Sequence, residues 1–342
     1  MTENFSQEVR RSGGTNQKRI SPELLISCLV CLALLFAGPG YAAQKRRTRA
    51  VQHKPASAKR PPIDEQALKT QVMLDRAGYS PGEIDGSMGT STKRALDAFT
   101  KNGGRADALP ADVLTTYRIT AEDAAGPFTL EIPSDMEEMS KLPALHYKNL
   151  LEAIGERFHA SPALLRRLNR NVRFTAGEQI QVPNVLQTVG PVGPPRGSQS
   201  DASNPATTTV TVHKSSSDLI VTDGTGRPLM YAPVTTGSEH DPLPLGEWKV
   251  TGVQKDPKFH YNPDLFWDAD PKNTKATIPP GPNNPVGVVW IDLSRPHYGL
   301  HGTPEPSAIG KTTSHGCVRL TNWDAERLAS LVRPGTKVIF AE

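Results

Sequence analysis

The stretch Ser314–Asn322 reads SHGCVRLTN and gathers His315, Gly316, Cys317 and Arg319 into five residues. His301 stands 16 residues before Cys317, at the head of HGTPEPSAIGKTTSHGC. A thiol is a weak nucleophile until it loses its proton; a nearby imidazole can take that proton, and the resulting thiolate and imidazolium stabilise each other. Gly316 has no side chain, so the backbone N–H groups of Gly316 and Cys317 can approach a reacting carbonyl as oxyanion donors. Arg319 offers a bidentate grip on a carboxylate. Two other readings use the same letters. A lone cysteine can be a small buried hydrophobe. His297, His301, His315 and Cys317 can also be drawn as a zinc set, with His297 and His301 on one strand face.

The thiol is unpaired for a reason visible elsewhere in the chain. Of the three cysteines, Cys28 and Cys31 lie in the apolar run Leu24–Ala37, LLISCLVCLALLFA. That run follows Arg10, Arg11, Lys18 and Arg19 and precedes GPGYAAQ, the grammar of a signal peptide over 1–43 with cleavage after Ala42 or Ala43. At 14 residues it is short for a membrane span, which needs about 20. Cleavage would leave Cys317 alone, in an exported chain of the periplasm or cell envelope. Seven basic residues and no acid lie between Gln44 and Arg60, and they read as a solvated tail over 44–61 rather than a nucleic-acid site.

The elements that must position these residues follow from periodicity. From Thr209 the texture is β: TVTVH, DLIVT and PLMYAP around an Asp223-Gly224 turn, then GEWKVTGV, PVGVVWIDL and YGLHGT, which reaches His301. TNWDAERLASLV is a helix capped by Thr321 or Asn322, and GTKVIFAE closes as a strand. Residues 256–285, rich in proline and carrying Phe266 and Trp267, read as a long loop over the site. Residues 185–208 are a Pro/Gly/Ser linker.

Before the linker, Ala67, Gln71, Leu74 and Ala77 share one helical face, and Thr92, Ala95, Leu96 and Phe99 another, across the turn-rich GYSPGEIDGSMGTST. Leu151, Ile154 and Phe158 form a stripe, Ser161-Pro162 starts a second helix, and GEQIQVPN alternates as a strand.

LDRAGYSPGEIDGSMGTSTKRALDAF resembles the small α-helical peptidoglycan-binding domain, here 62–104. LLRRLNR and AGEQIQVPN resemble the βααβ LysM domain, here 144–184, whose family binds N-acetylglucosamine polymers. HGTPEPSAIGKTTSHGCVRL resembles the catalytic motif of the YkuD-type L,D-transpeptidases, and LPLGEWKV their Pro-x-Gly-x-aromatic strand, giving a catalytic domain over 209–342. The resemblance implies a mainly-β sandwich with a helix after the motif, Cys317 as acyl-accepting nucleophile and His301 as its base. It also implies that the Gly302 carbonyl orients the imidazole, and that the backbone around His315 and Gly316 forms the oxyanion hole. Ser314, Arg319, Trp267 and Tyr298 are then the substrate contacts. The implied substrates are peptidoglycan stem peptides and glycan. Cys317 would form a thioester with a tetrapeptide stem, resolved by a neighbouring amine as a 3→3 cross-link or by a wall-attached lipoprotein. Carbapenem-type inhibitors would acylate Cys317, and no cofactor or metal is needed. A carboxypeptidase or hydrolase on the same site, a zinc hydrolase and a non-catalytic peptidoglycan binder are the competing readings.

Overall fold

The computed structural model describes residues 63–185 and 208–342. The expected signal segment 1–43, basic tail 44–61 and nearly all of the 185–208 linker lie outside them. The described residues form one compact unit, and none of their helices is long and apolar enough to cross a membrane.

The N-terminal part runs α1 (Glu65–Arg76), α2 (Thr90–Lys101), β1 (Leu114–Arg118), α3 (Ala121–Ala125), α4 (Met136–Ser140), α5 (Leu150–Arg157), α6 (Pro162–Leu168) and β2 (Gln179–Pro183). Local chemistry starts these helices. Asp64 accepts from the Gln66 and Ala67 amides, Asn149 from Glu152, and Ser161 from Leu164 with Pro162 in the first turn. Each such cap contributes about 1 kcal/mol.

α1 and α2 flank the expected turn-rich loop, and α5, α6 and β2 fall within 144–184, but the strand that pairs with β2 is β1. It pairs antiparallel with β2 from Leu114↔Pro183 to Arg118↔Gln179, well ahead of the expected start at 144. The residues between β1 and α5 carry α3 and α4, whose short polar turns give no strong periodicity. Nor are the two units separate beads. Leu68, Val72 and Ile84 of the first share one buried cluster with Ile154, Phe158, Leu164, Leu165, Ile180 and Val182 of the second. Units this small bury too little apolar surface alone, and pooling their faces makes one adequate core.

The C-terminal part contains β3 (Thr209–His213), β4 (Asp218–Thr222), β5 (Pro228–Pro233), β6 (Gly246–Lys255), β7 (Phe259–Tyr261), β8 (Ala276–Ile278), β9 (Val289–Leu293), β10 (Gly299–His301), β11 (Val318–Arg319), α7 (Asn322–Leu331) and β12 (Lys337–Ala341). The main sheet has eight strands in the order β11-β10-β9-β6-β12-β3-β4-β5. The expected sandwich is therefore one continuous ladder rather than two separate sheets. β6 is the shared strand: residues 246–249 pair with β12, and 250–255 pair with β9 after a register shift between Val250 and Gly252. An irregularity of this kind lets one strand serve two halves of a bent sheet. Alternate residues from both halves, including Val210, Val212, Ile291, Leu300, Val318 and Phe340, meet in a single core with Leu328 of α7. Each such side chain contributes about 1.5–3 kcal/mol on burial.

The two parts are joined through side chains and backbone. Tyr79 stacks on Tyr231 of β5 at 6.2 Å, while Ser80 N–H donates to the Tyr231 carbonyl and Tyr231 N–H to that of Gly78. Residues 256–285 are more ordered than a loop, since β7 and β8 make a hairpin whose Ile278 is buried with Met139 and Leu145.

Candidate active site

β10 and β11 run parallel with Leu300 opposite Val318 and His301 opposite Arg319. Cys317 immediately precedes β11, so continuation of that register sets it beside Gly299. In a parallel pair, opposite residues and their i±2 neighbours project from the same face. Cys317, Arg319 and His301 therefore share one face, with the thiol and imidazole diagonal to one another. β10, the intervening loop and β11 set the two residues on adjacent strands.

His301 is 4 % exposed. Its Nδ1 lies 2.7 Å from the Gly302 carbonyl, which fixes the proton on Nδ1 and leaves Nε2 as a lone-pair acceptor. Burial lowers the imidazole pKa from 6.5 to about 4; the hydrogen bond to Gly302 opposes this and the nearby Arg319 charge adds to it. Burial also raises the Cys317 thiol, against the pull of the Gly299 amide and the Arg319 guanidinium. Burial thus favours the neutral form of both groups. The Cys317 sulfur, half-buried, lies 3.7 Å from the His297 carbonyl oxygen.

The cysteine loop is held on both sides. Thr235 and Arg319 exchange backbone hydrogen bonds, and Ser314 N–H donates to the Thr236 carbonyl. Ser314, expected at the substrate, is 3 % exposed and its hydroxyl donates 2.6 Å to the Cys317 carbonyl, so it clamps the loop instead. Gly316 has φ +102, and a Cβ there would come within 2.8 Å of the Tyr298 ring. Tyr298 itself faces the Arg295 guanidinium at 4.9 Å. Among the described residues the N–H groups of His315, Gly316 and Cys317 have no hydrogen-bond partner, which leaves them available to an oxyanion.

The His315 ring meets the β7–β8 loop. Its Nε2 pairs with Asp268 at 2.7 Å, and Phe266 packs edge-on at 4.9 Å. Trp267 is 57 % exposed and stacks on His240 at 4.2 Å. The loop thus sits over the motif as expected, through His315 rather than through Trp267 alone. A zinc set built on these residues lacks convergence: no three His, Cys, Asp or Glu side chains gather at a metal-holding distance among the described residues.

Three supporting residues went unread in the sequence. Trp290 lies directly opposite His301 across β9 and β10, and the rings stack at 5.3 Å. Gly299 makes room for it, because a Cβ would sit 2.6 Å from the indole. Asn322 accepts from the Val288 amide and donates to the Pro282 carbonyl, and a Cβ on Gly302 would meet its Oδ1 at 2.2 Å. No spacing rule links a tryptophan on one strand to a histidine on the next; only strand pairing reveals it. The Asn322 position was visible as a helix start, but its role was not.

Residues 207–340 match YkuD, the L,D-transpeptidase catalytic domain. The C-terminal domain is 39% of the chain or slightly more by this match, and the L,D-transpeptidase relatives are matched only in part. The chain is 52% identical over 59 residues to the putative L,D-transpeptidase YkuD of Bacillus licheniformis, covering 17% of this chain and 36% of that one. It is 30% identical over 115 residues to the putative L,D-transpeptidase YqjB of Bacillus subtilis, covering 32% and 57%. Among solved structures, L,D-transpeptidase 3 from Mycobacterium tuberculosis in complex with a faropenem-derived adduct matches at 19% identity, with a TM-score of 0.33, over 40% of this chain and 60% of that one. An L,D-transpeptidase from Mycobacterium smegmatis matches at 18% identity and a TM-score of 0.33, over 40% and 59%.

Proposed function

We propose that the protein is an exported cell-wall L,D-transpeptidase with Cys317 as nucleophile and His301 as base. The observation that carries this is the His301 tautomer, set by Gly302, on the same sheet face as Cys317. In the proposed reaction Nε2 of His301 takes the thiol proton as the sulfur attacks the carbonyl of the third residue of a tetrapeptide stem. The N–H groups of Gly316 and Cys317 hold the oxyanion; each such donor is typically worth about 10²–10³ in rate. The imidazolium returns its proton to the departing D-alanine amine, and a thioester remains. An amine of a second stem attacks the thioester, His301 accepts its proton, and the sulfur leaves and is reprotonated. Arg319 holds a donor carboxylate, and Tyr298 and the Trp267 loop border the donor channel. The helical and βααβ units hold the enzyme against peptidoglycan, where even weak affinity raises local substrate concentration.

The test is intact-protein mass spectrometry after incubation with imipenem, followed by muropeptide analysis with sacculi. Wild type is expected to gain one covalent adduct on Cys317 and to form 3→3 cross-links, and Cys317→Ala to do neither while keeping its Tm. Cross-linking by Cys317→Ala would end the reading. Shortened stems without cross-links would assign the same site to a carboxypeptidase.

A further inference from the structure

A cleft of about 550 Å³ opens between the βααβ unit and the segment that directly follows the His301 strand. One wall comes from Lys148, Glu152 and Glu156 on and before α5 and Arg166 on α6; the other is Pro304–Ser307, with Glu83 and Trp323 completing it. Four carboxyl groups (Glu83, Glu152, Glu156 and Glu305) thus face two cations, Lys148 and Arg166. None of the six is in a salt bridge among the described residues. Burial holds the Glu156 carboxyl protonated near neutrality; the other groups, facing a cleft without mutual pairing, are available to a ligand.

A second observation points the same way. Trp323 is 8 % exposed, stacks on His159 at 5.0 Å, and its indole Nε1 is shielded with no hydrogen-bond partner. Glu156 Oε1 is likewise shielded and unpartnered. Buried polar atoms are nearly always satisfied, and leaving one unpaired is costly. Both residues line the cleft. Burial raises the Glu83 carboxyl to about 7, so it too can donate or accept near neutrality. The cleft adjoins the catalytic strand, because its Pro304–Ser307 wall begins three residues after His301, the last residue of β10.

We infer that this cleft binds the acceptor stem peptide, its carboxyl groups holding the peptide ammonium and Lys148 and Arg166 a peptide carboxylate. The inference rests on the transpeptidase reading above and adds where the second substrate sits. It gives the fused βααβ unit a share in substrate recognition.

The experiment uses the full chain and a soluble tripeptide ending in meso-diaminopimelate as acceptor, with Glu83→Gln and Arg166→Glu as separate variants. Both substitutions fall outside the catalytic machinery, and Arg166 is exposed. The KM for the tripeptide is expected to rise about tenfold in each, the scale of one lost charge-assisted contact. The imipenem acylation rate and the donor KM should stay within about twofold of wild type. Isothermal titration of the tripeptide reads binding without turnover and should show the same loss. An unchanged tripeptide affinity in both variants overturns the inference, as does an equal rise in donor KM. A chito-oligosaccharide that binds wild type and loses affinity in these variants, where the tripeptide does not, would assign the cleft to glycan and overturn it too. Absence of an imipenem adduct on wild type is a different result and removes the transpeptidase reading itself.

Discussion

Trp290 and His301 stand directly opposite on β9 and β10, with their rings stacked 5.3 Å apart and inclined by 21°. The indole helps to keep water from the imidazole, and that burial is the main reason the base titrates near 4. Gly299 allows the arrangement by lacking a side chain where the indole lies.

Trp290→Ala should return part of the imidazole to solvent and so raise its pKa toward 6.5, the unburied value. A base must be deprotonated to act, so the acid limb of the acylation rate should move to higher pH, by about one unit. The pH dependence of imipenem acylation checks this. An unmoved limb would show that the stack does not set the base.

Gly299→Ala places a methyl 2.6 Å from the Trp290 indole. Overpacking of this kind costs about 1–3 kcal/mol, or roughly 2–10 °C in Tm for a unit of this size. Acylation should slow with it, because the displaced indole no longer supports His301. Scanning fluorimetry and the acylation rate together test the pairing; the double variant with Trp290→Ala should recover much of the lost Tm.

Asp268→Ala removes the partner of His315 on the β7–β8 loop. The pair is partly exposed, and exposed pairs contribute about 0–1 kcal/mol, so Tm should stay within about 2 °C. The loop carrying Phe266 and Trp267 should be less well held over the motif, with the donor KM rising several-fold and kcat changing less. Steady-state kinetics separates the two parameters, and a KM equal to wild type would show that the contact has no part in donor binding.

Glu156→Gln tests the rear support of the site. Burial raises this carboxyl from 4.5 to about 8, with the nearby Asn322 amide and the His159 charge opposing the rise. Between those values the folded chain holds a proton that the unfolded chain has lost, so stability from this group falls as pH rises through that window. His301 acts in the other direction: its folded pKa of about 4 lies below 6.5, so its contribution is lost as pH falls through that interval. The glutamine variant removes only the first slope. Its Tm relative to wild type should therefore be higher at pH 8 than at pH 5, as thermal melts across pH 4–9 would show. A constant difference would mean that Glu156 ionises normally in the folded chain.

What the sequence determined by itself was local. Alternation over TVTVH, DLIVT and KVIFA placed β3, β4 and β12, because a half-buried strand alternates its sides and these do. Ser161-Pro162 and Thr321 marked the starts of α6 and α7 because a cap hydrogen bond spans only three residues. Cys317 and His301 were legible as a candidate nucleophile and base from their types and the motif around them. Tertiary structure decided what depends on pairing distant segments. It set Trp290 against His301, turned His315 toward Asp268, consumed the Ser314 hydroxyl within the loop, and supplied β1 as the partner of β2. It also fused the N-terminal units into one core, as when Val72 of α1 is buried with Ile180 of β2. Hydrophobic periodicity tells which face of an element seeks burial; it carries no record of which other face will cover it.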